Sequence, residues 1–148
     1  MTVRRLVLLR HGQTEHNAEN RMQGQLDTAL SELGRRQARA VAVALKDRRP
    51  LAIVSSDLRR AQDTATTVAE ATGVGVRVDP RLRETHLGEW QGRTHYEVDA
   101  VYPGARDRWR SDATWAPPGG ESRVEVAARA VPAIDELVGD IDARGPWA

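Results

Sequence analysis

Cysteine is absent from the 148 residues, so neither a disulfide framework nor thiolate chemistry is available, although an oxidising compartment is not thereby excluded. Long apolar runs are missing too. No stretch approaches the roughly 18 consecutive apolar residues of a membrane span, and the segment from Met1 to Leu9 is too short and too charged for a secretory leader. A cytoplasmic protein with no membrane partner is the expectation. Net charge is also scarce, because 22 basic residues face 21 acidic ones and leave +1. That balance gives no support to nucleic-acid binding. Lysine is nearly missing: Lys46 stands alone and every other basic residue is arginine. Arginine suits planar, bidentate phosphate recognition, but genomic codon bias is the better explanation of the overall count.

What is present fits a soluble globular chain, with 40% hydrophobic and 29% charged residues. The length suits one hydrophobic core, and no repeat, low-complexity tract or linker divides it, so a single domain over 1–148 is expected.

Apolar periodicity sets out the elements. Arg5 to Leu9 reads as a buried strand running into the polar turn Arg10-His11-Gly12-Gln13-Thr14. Ala38, Val41, Ala42 and Leu45 recur on one helical face, predicting a helix from about Ser31 to about Asp47. After Pro50 a second strand covers Leu51 to Val54. A helix with Ala61, Ala65, Val68, Ala69 and Thr72 on its inner side then ends at Gly73, and a third strand follows through Val74, Val76 and Val78.

Asp79 to Gly120 is mostly irregular, apart from a short helix signalled by the capping box of Thr94 and Glu97. A second capping box, Ser122 with Glu125, opens a long amphipathic helix through Ala127, Ala130, Val131, Ile134, Leu137, Val138 and Ile141, in which Pro132 predicts a kink. Alternating strands and helices imply an α/β class with a three-layer α/β/α sandwich and a mostly parallel sheet. In such sheets ligands bind at the carboxyl ends of the strands. The last helix closes at Arg144-Gly145-Pro146 without leading into another strand, so the carboxyl-terminal part of the fold is expected to be missing.

Arg10, His11 and Gly12 after an apolar strand, with Thr14 and Asn17, form one motif. Ser56, Leu58, Arg60, Ala61 and Thr64 form a second, and Arg81-Leu82-Arg83-Glu84 with Gly88-Glu89-Trp90-Gln91-Gly92 a third. Their order and spacing resemble the histidine phosphatase superfamily, which also holds the cofactor-dependent phosphoglycerate mutases. Arg21 to Thr28 and Trp115 to Ser122 look like its glucosyl-3-phosphoglycerate phosphatase branch.

The resemblance implies a metal-independent phosphate-monoester phosphatase that needs no cofactor and acts on a small phosphorylated metabolite. His11 would attack phosphorus and form a phosphohistidine that water then hydrolyses. Its other ring nitrogen would donate to a fixed acceptor. Arg10 and Arg60 would neutralise the phosphate, Asn17 and Gln23 would add neutral donors, and Gly12 and Gly24 would let the backbone come close. Glu84 would be the general acid, its proton held by burial and by nearby phosphate charge.

The family's second catalytic histidine has no counterpart here, because His16, His86 and His95 lie in other contexts; the chain alone is therefore expected to have little activity. Two alternatives stay open. In the mutases the acid is followed by an Arg and a Tyr, where this chain has Thr85 and Leu87, which favours a phosphatase. A non-catalytic phosphate-binding module is the other. The resemblance also leaves a homodimer open.

Overall fold

The computed structural model describes residues 5–144. Two parallel strands, β1 (Ile53–Ser55) and β2 (Val76–Val78), pair in the register Ile53 with Val76 and Ser55 with Val78. Helix α3 (Arg59–Thr72) is the crossover between them, which is the connection parallel strands require. It packs on helix α2 (Glu32–Leu45). Ala38 and Ala42 of α2 and Thr64, Ala65 and Val68 of α3 are buried. The α/β class with parallel pairing is thus the fold the chain adopts.

Local signals set the helix ends. Ser31 caps α2 by accepting from the Gly34 N–H at 3.1 Å. Gly73 ends α3 in the left-handed conformation at φ 75°. Helix α3 has no side-chain cap of its own; Asp27 supplies one from a distant loop, accepting from the Arg59 N–H at 2.7 Å. Thr94 and Glu97 open α4 (His95–Val101), and Ser122 and Glu125 open α6 (Arg123–Ala143), each with both bonds of its capping box formed.

Three expectations are corrected. Arg5 to Leu9 is neither a strand nor buried: Leu6, Val7, Leu8 and Leu9 are exposed, Leu8 at 82%. A strand exists only through its ladder, and no described segment pairs with this one. The region 79–120 is more ordered than its polarity suggests, containing 3-10 turns at Pro80–Leu82 and Gly88–Trp90, helix α4 and helix α5 (Ala105–Ser111). In α6 the expected stripe is only partly covered: Ile141 is buried and Ala130, Ile134, Leu137 and Val138 are half-buried, but Ala127 and Val131 are exposed, and Ala133, outside the stripe, is buried. The helix runs on through Pro132, and the stop at Gly145-Pro146 lies outside the described residues.

The hydrophobic core of the 79–120 region is built on Trp90, which is 0% exposed, with Met22, Leu87 and Val98. Trp109 meets Trp90 edge to face at 6.0 Å and Trp115 lies 5.8 Å away, an arrangement that suits the ring quadrupoles. This cluster gives the segment bearing Glu84 a solid base.

Candidate active site

The loop carrying His11 is fastened from both neighbouring helices. From α2, Ser31 donates its N–H to the Gln13 carbonyl at 2.9 Å, and Gln37 accepts from the Gln13 N–H at 2.9 Å. From α3, Thr64 Oγ1 accepts from the Gly12 N–H at 3.2 Å while donating to the Arg60 carbonyl at 2.8 Å. Just beyond, Thr14 caps the one-turn helix α1 (Glu15–Ala18), and Asn17 completes that capping box through its Oδ1.

His11 Nδ1 lies 2.6 Å from the Gly12 carbonyl, a contact that requires the proton on Nδ1 and leaves Nε2 with a free lone pair. Arg60 reaches that nitrogen, its Nε–H donating to His11 Nε2 at 3.2 Å. Arg60 is 1% exposed, and its other two nitrogens donate to the carbonyls of Leu26 at 2.8 Å and Gly24 at 2.7 Å. The guanidinium is therefore aimed by the loop it braces. Burial lowers the His11 pKa from its usual value; the Gly12 carbonyl opposes this, while the charges of Arg60 and Arg10 add to it. A neutral imidazole follows at neutral pH.

Gln23 is buried and spends its carbonyl on two hydroxyls, those of Thr14 at 2.6 Å and of Thr28. Its NH2 is the end left for an anion. Gly24 has φ 52°, and a Cβ there would press on the Gln91 side chain at 2.4 Å, so the turn tolerates only glycine in comfort. The eight residues given a role from the sequence, Arg10, His11, Gly12, Asn17, Gln23, Gly24, Arg60 and Glu84, all line one cleft of about 880 Å3.

The family model for the histidine phosphatase superfamily, branch 1, matches residues 6–144. The chain belongs to the histidine phosphatase superfamily. It is 68% identical over 138 residues to a glucosyl-3-phosphoglycerate phosphatase of Mycobacterium tuberculosis, covering 93% of this chain and 62% of that protein. It is 38% identical to a probable phosphoglycerate mutase of Yersinia pestis, over 90% of this chain and 62% of that one. Among solved structures, a mycobacterial glucosyl-3-phosphoglycerate phosphatase in complex with VO3 superposes with a TM-score of 0.86 at 67% identity, over 88% of this chain and 62% of that chain. YhfR of Bacillus stearothermophilus gives 0.82 at 38% identity, over 88% and 65%. The chain thus spans 62% of the length of the curated phosphatase it matches.

Within this superfamily frame one expectation about Glu84 is corrected. It reaches the cleft but is exposed and not buried, and its Oε1 accepts from the Thr85 N–H at 2.7 Å. The surrounding segment is held by Arg83, which grips Asp57 through two bonds, the Nε one at 2.6 Å. Of the histidines set aside in the sequence, His95 also lines the cleft, whereas His86 Nδ1 accepts from the Gly88 N–H at 3.1 Å.

Two residues that shape the site carried no assigned role in the sequence reading. Thr64 stood in a motif but was not linked to Gly12. Arg129 could have been noticed as a charged residue on the line Val126, Ala130 and Ala133 of an apolar helix face.

Proposed function

We propose that this chain carries the phosphate pocket and nucleophile of a metal-independent phosphatase for a small phosphorylated metabolite, with glucosyl-3-phosphoglycerate as the first candidate substrate. The observation that carries this reading is the His11 pair of contacts: one ring nitrogen tied to the Gly12 carbonyl, the other facing a buried arginine. A phosphate replacing part of that second contact would accept from Arg60 and Arg10 while Nε2 attacks phosphorus. Asn17 and Gln23 would donate to the remaining oxygens. Glu84 would protonate the departing alkoxide and then draw a proton from the attacking water.

The cleft is larger than orthophosphate needs, which supports a substrate with a sizeable organic part. The 68% identity to a protein named glucosyl-3-phosphoglycerate phosphatase supports that particular ester. Return of the phosphoryl group to an isomerised product, the mutase outcome, is disfavoured by Thr85 and Leu87, which are both buried.

The test is calorimetric titration of vanadate, together with mass spectrometry of protein quenched during incubation with glucosyl-3-phosphoglycerate. Binding by the wild type, its loss in Arg60→Ala, and a single phosphoryl adduct on His11 are expected. Release of inorganic phosphate, however slow, completes the case; an isomerised ester would turn it to a mutase. Binding without any adduct would leave a phosphate-binding module.

A further inference from the structure

Arg129 divides its donors between the main chain around Glu84 and the carboxylate of Glu121. Its Nη1 donates to the carbonyls of Arg81 at 2.6 Å and Arg83 at 2.8 Å, and its Nη2 to the carbonyl of Glu84 itself at 3.0 Å. The remaining bonds go to Glu121, from Nε at 2.9 Å and from Nη2 at 2.9 Å. Glu121 in turn accepts from the His86 N–H at 2.8 Å, two residues past Glu84. The backbone on both sides of the Glu84 side chain is therefore fastened to α6.

We propose that Arg129, held by Glu121, is a positioning residue that fixes where the Glu84 carboxyl stands relative to the phosphate pocket. The inference rests on the reading of Glu84 as the proton donor. Glu84 is exposed, so packing does little to restrain it, and a proton donor must stay within hydrogen-bond reach of the departing oxygen. A guanidinium meets several acceptors in one plane with a rigid fork, whereas a lysine ammonium offers three donors on a flexible stem. The segment has no regular helix or strand to stiffen it from Arg83 to Leu87, and Arg129 takes that part. The side chains of Arg129 and Glu121 are 20% and 25% exposed, which shields the pair from full solvent screening.

A structural brace and a positioning residue are separated by the leaving group. An alkoxide needs the proton that Glu84 supplies, and a nitrophenolate does not. The 148-residue protein, Arg129→Ala, Glu84→Gln and the double variant are assayed with an alkyl phosphate and with p-nitrophenyl phosphate, and their vanadate affinities are measured by calorimetry. Arg129→Ala is expected to slow the alkyl ester by about tenfold or more and the aryl ester by less than about threefold. In the Glu84→Gln background the Arg129 substitution should add nothing further, and the two changes should be non-additive in vanadate affinity, which is readable without turnover. Arg129→Lys should recover part of the alkyl rate.

Equal losses on both esters, or strict additivity in the vanadate cycle, would overturn the positioning role. If Arg129→Ala does not melt cooperatively, Glu121→Gln carries the same cycle. Failure of the wild type to bind vanadate would instead overturn the phosphate-pocket reading beneath it.

Discussion

Gly12 and Gly34 are packed backbone against backbone: a Cβ on Gly12 would stand 2.3 Å from the Gly34 carbonyl oxygen, and one on Gly34 would stand 2.0 Å from the Gln13 carbonyl oxygen. Neither contact can be relieved by moving a flexible side chain. The close approach is what brings the N-terminal turn of α2 onto the loop that presents His11.

Gly34→Ala is therefore expected to destabilise the protein by about 1–3 kcal/mol or more, through a clash with main chain. Gly75 is the control, since nothing lies within 4 Å of a Cβ there and its φ is not positive. Gly75→Ala should melt at or slightly above the wild-type temperature. Equal melting temperatures for the two variants would show that the α2 turn yields more readily than its geometry implies.

Thr64→Val keeps the shape of the side chain and removes the hydroxyl that Gly12 N–H and the Arg60 carbonyl share. An orphaned buried donor costs about 1–3 kcal/mol, and the loop behind His11 should loosen. Hydrogen exchange at Gly12 is the direct measure. Thr64→Ser restores the hydroxyl and should restore protection.

The His11 pKa lies below its usual 6.5 because burial and two arginine charges disfavour the imidazolium more than the Gly12 carbonyl favours it. The unfolded chain thus takes up this proton at higher pH than the native one. The stability linked to His11 is complete above about 6.5 and falls as the pH drops from there toward the folded-state pKa. An NMR titration should give a His11 midpoint under 6.5. A midpoint at or above that value would contradict the proposed neutral nucleophile.

Arg60→Lys retains the charge and loses the fork that spans the carbonyls of Gly24 and Leu26 and the His11 ring. One charge-assisted hydrogen bond is worth about 1.5–3 kcal/mol, so vanadate affinity should drop by about tenfold or more. Calorimetry of the two proteins decides it. Unchanged affinity would mean that charge alone, and not guanidinium geometry, holds the anion.

The sequence by itself determined what depends on near neighbours. The Ser31 cap, the Gly73 stop, both capping boxes and the faces of α2 and α3 follow from residues within a turn or two of each other. Arg10, His11, Asn17, Arg60 and Glu84 of the cleft were legible as well, because three motifs kept their order and spacing along the chain, and Gln23 and Gly24 through the Arg21 to Thr28 segment. Tertiary structure decided whatever needs a partner distant in the sequence. Arg5 to Leu9 has the composition of a strand but no ladder among the described residues, and hydrogen bonding between segments cannot be read from either segment alone. The same reason covers the Thr64 hydroxyl that holds the Gly12 N–H and the arginine, 45 positions on from Glu84, that holds its backbone. Each is a contact whose geometry only exists once the chain has closed.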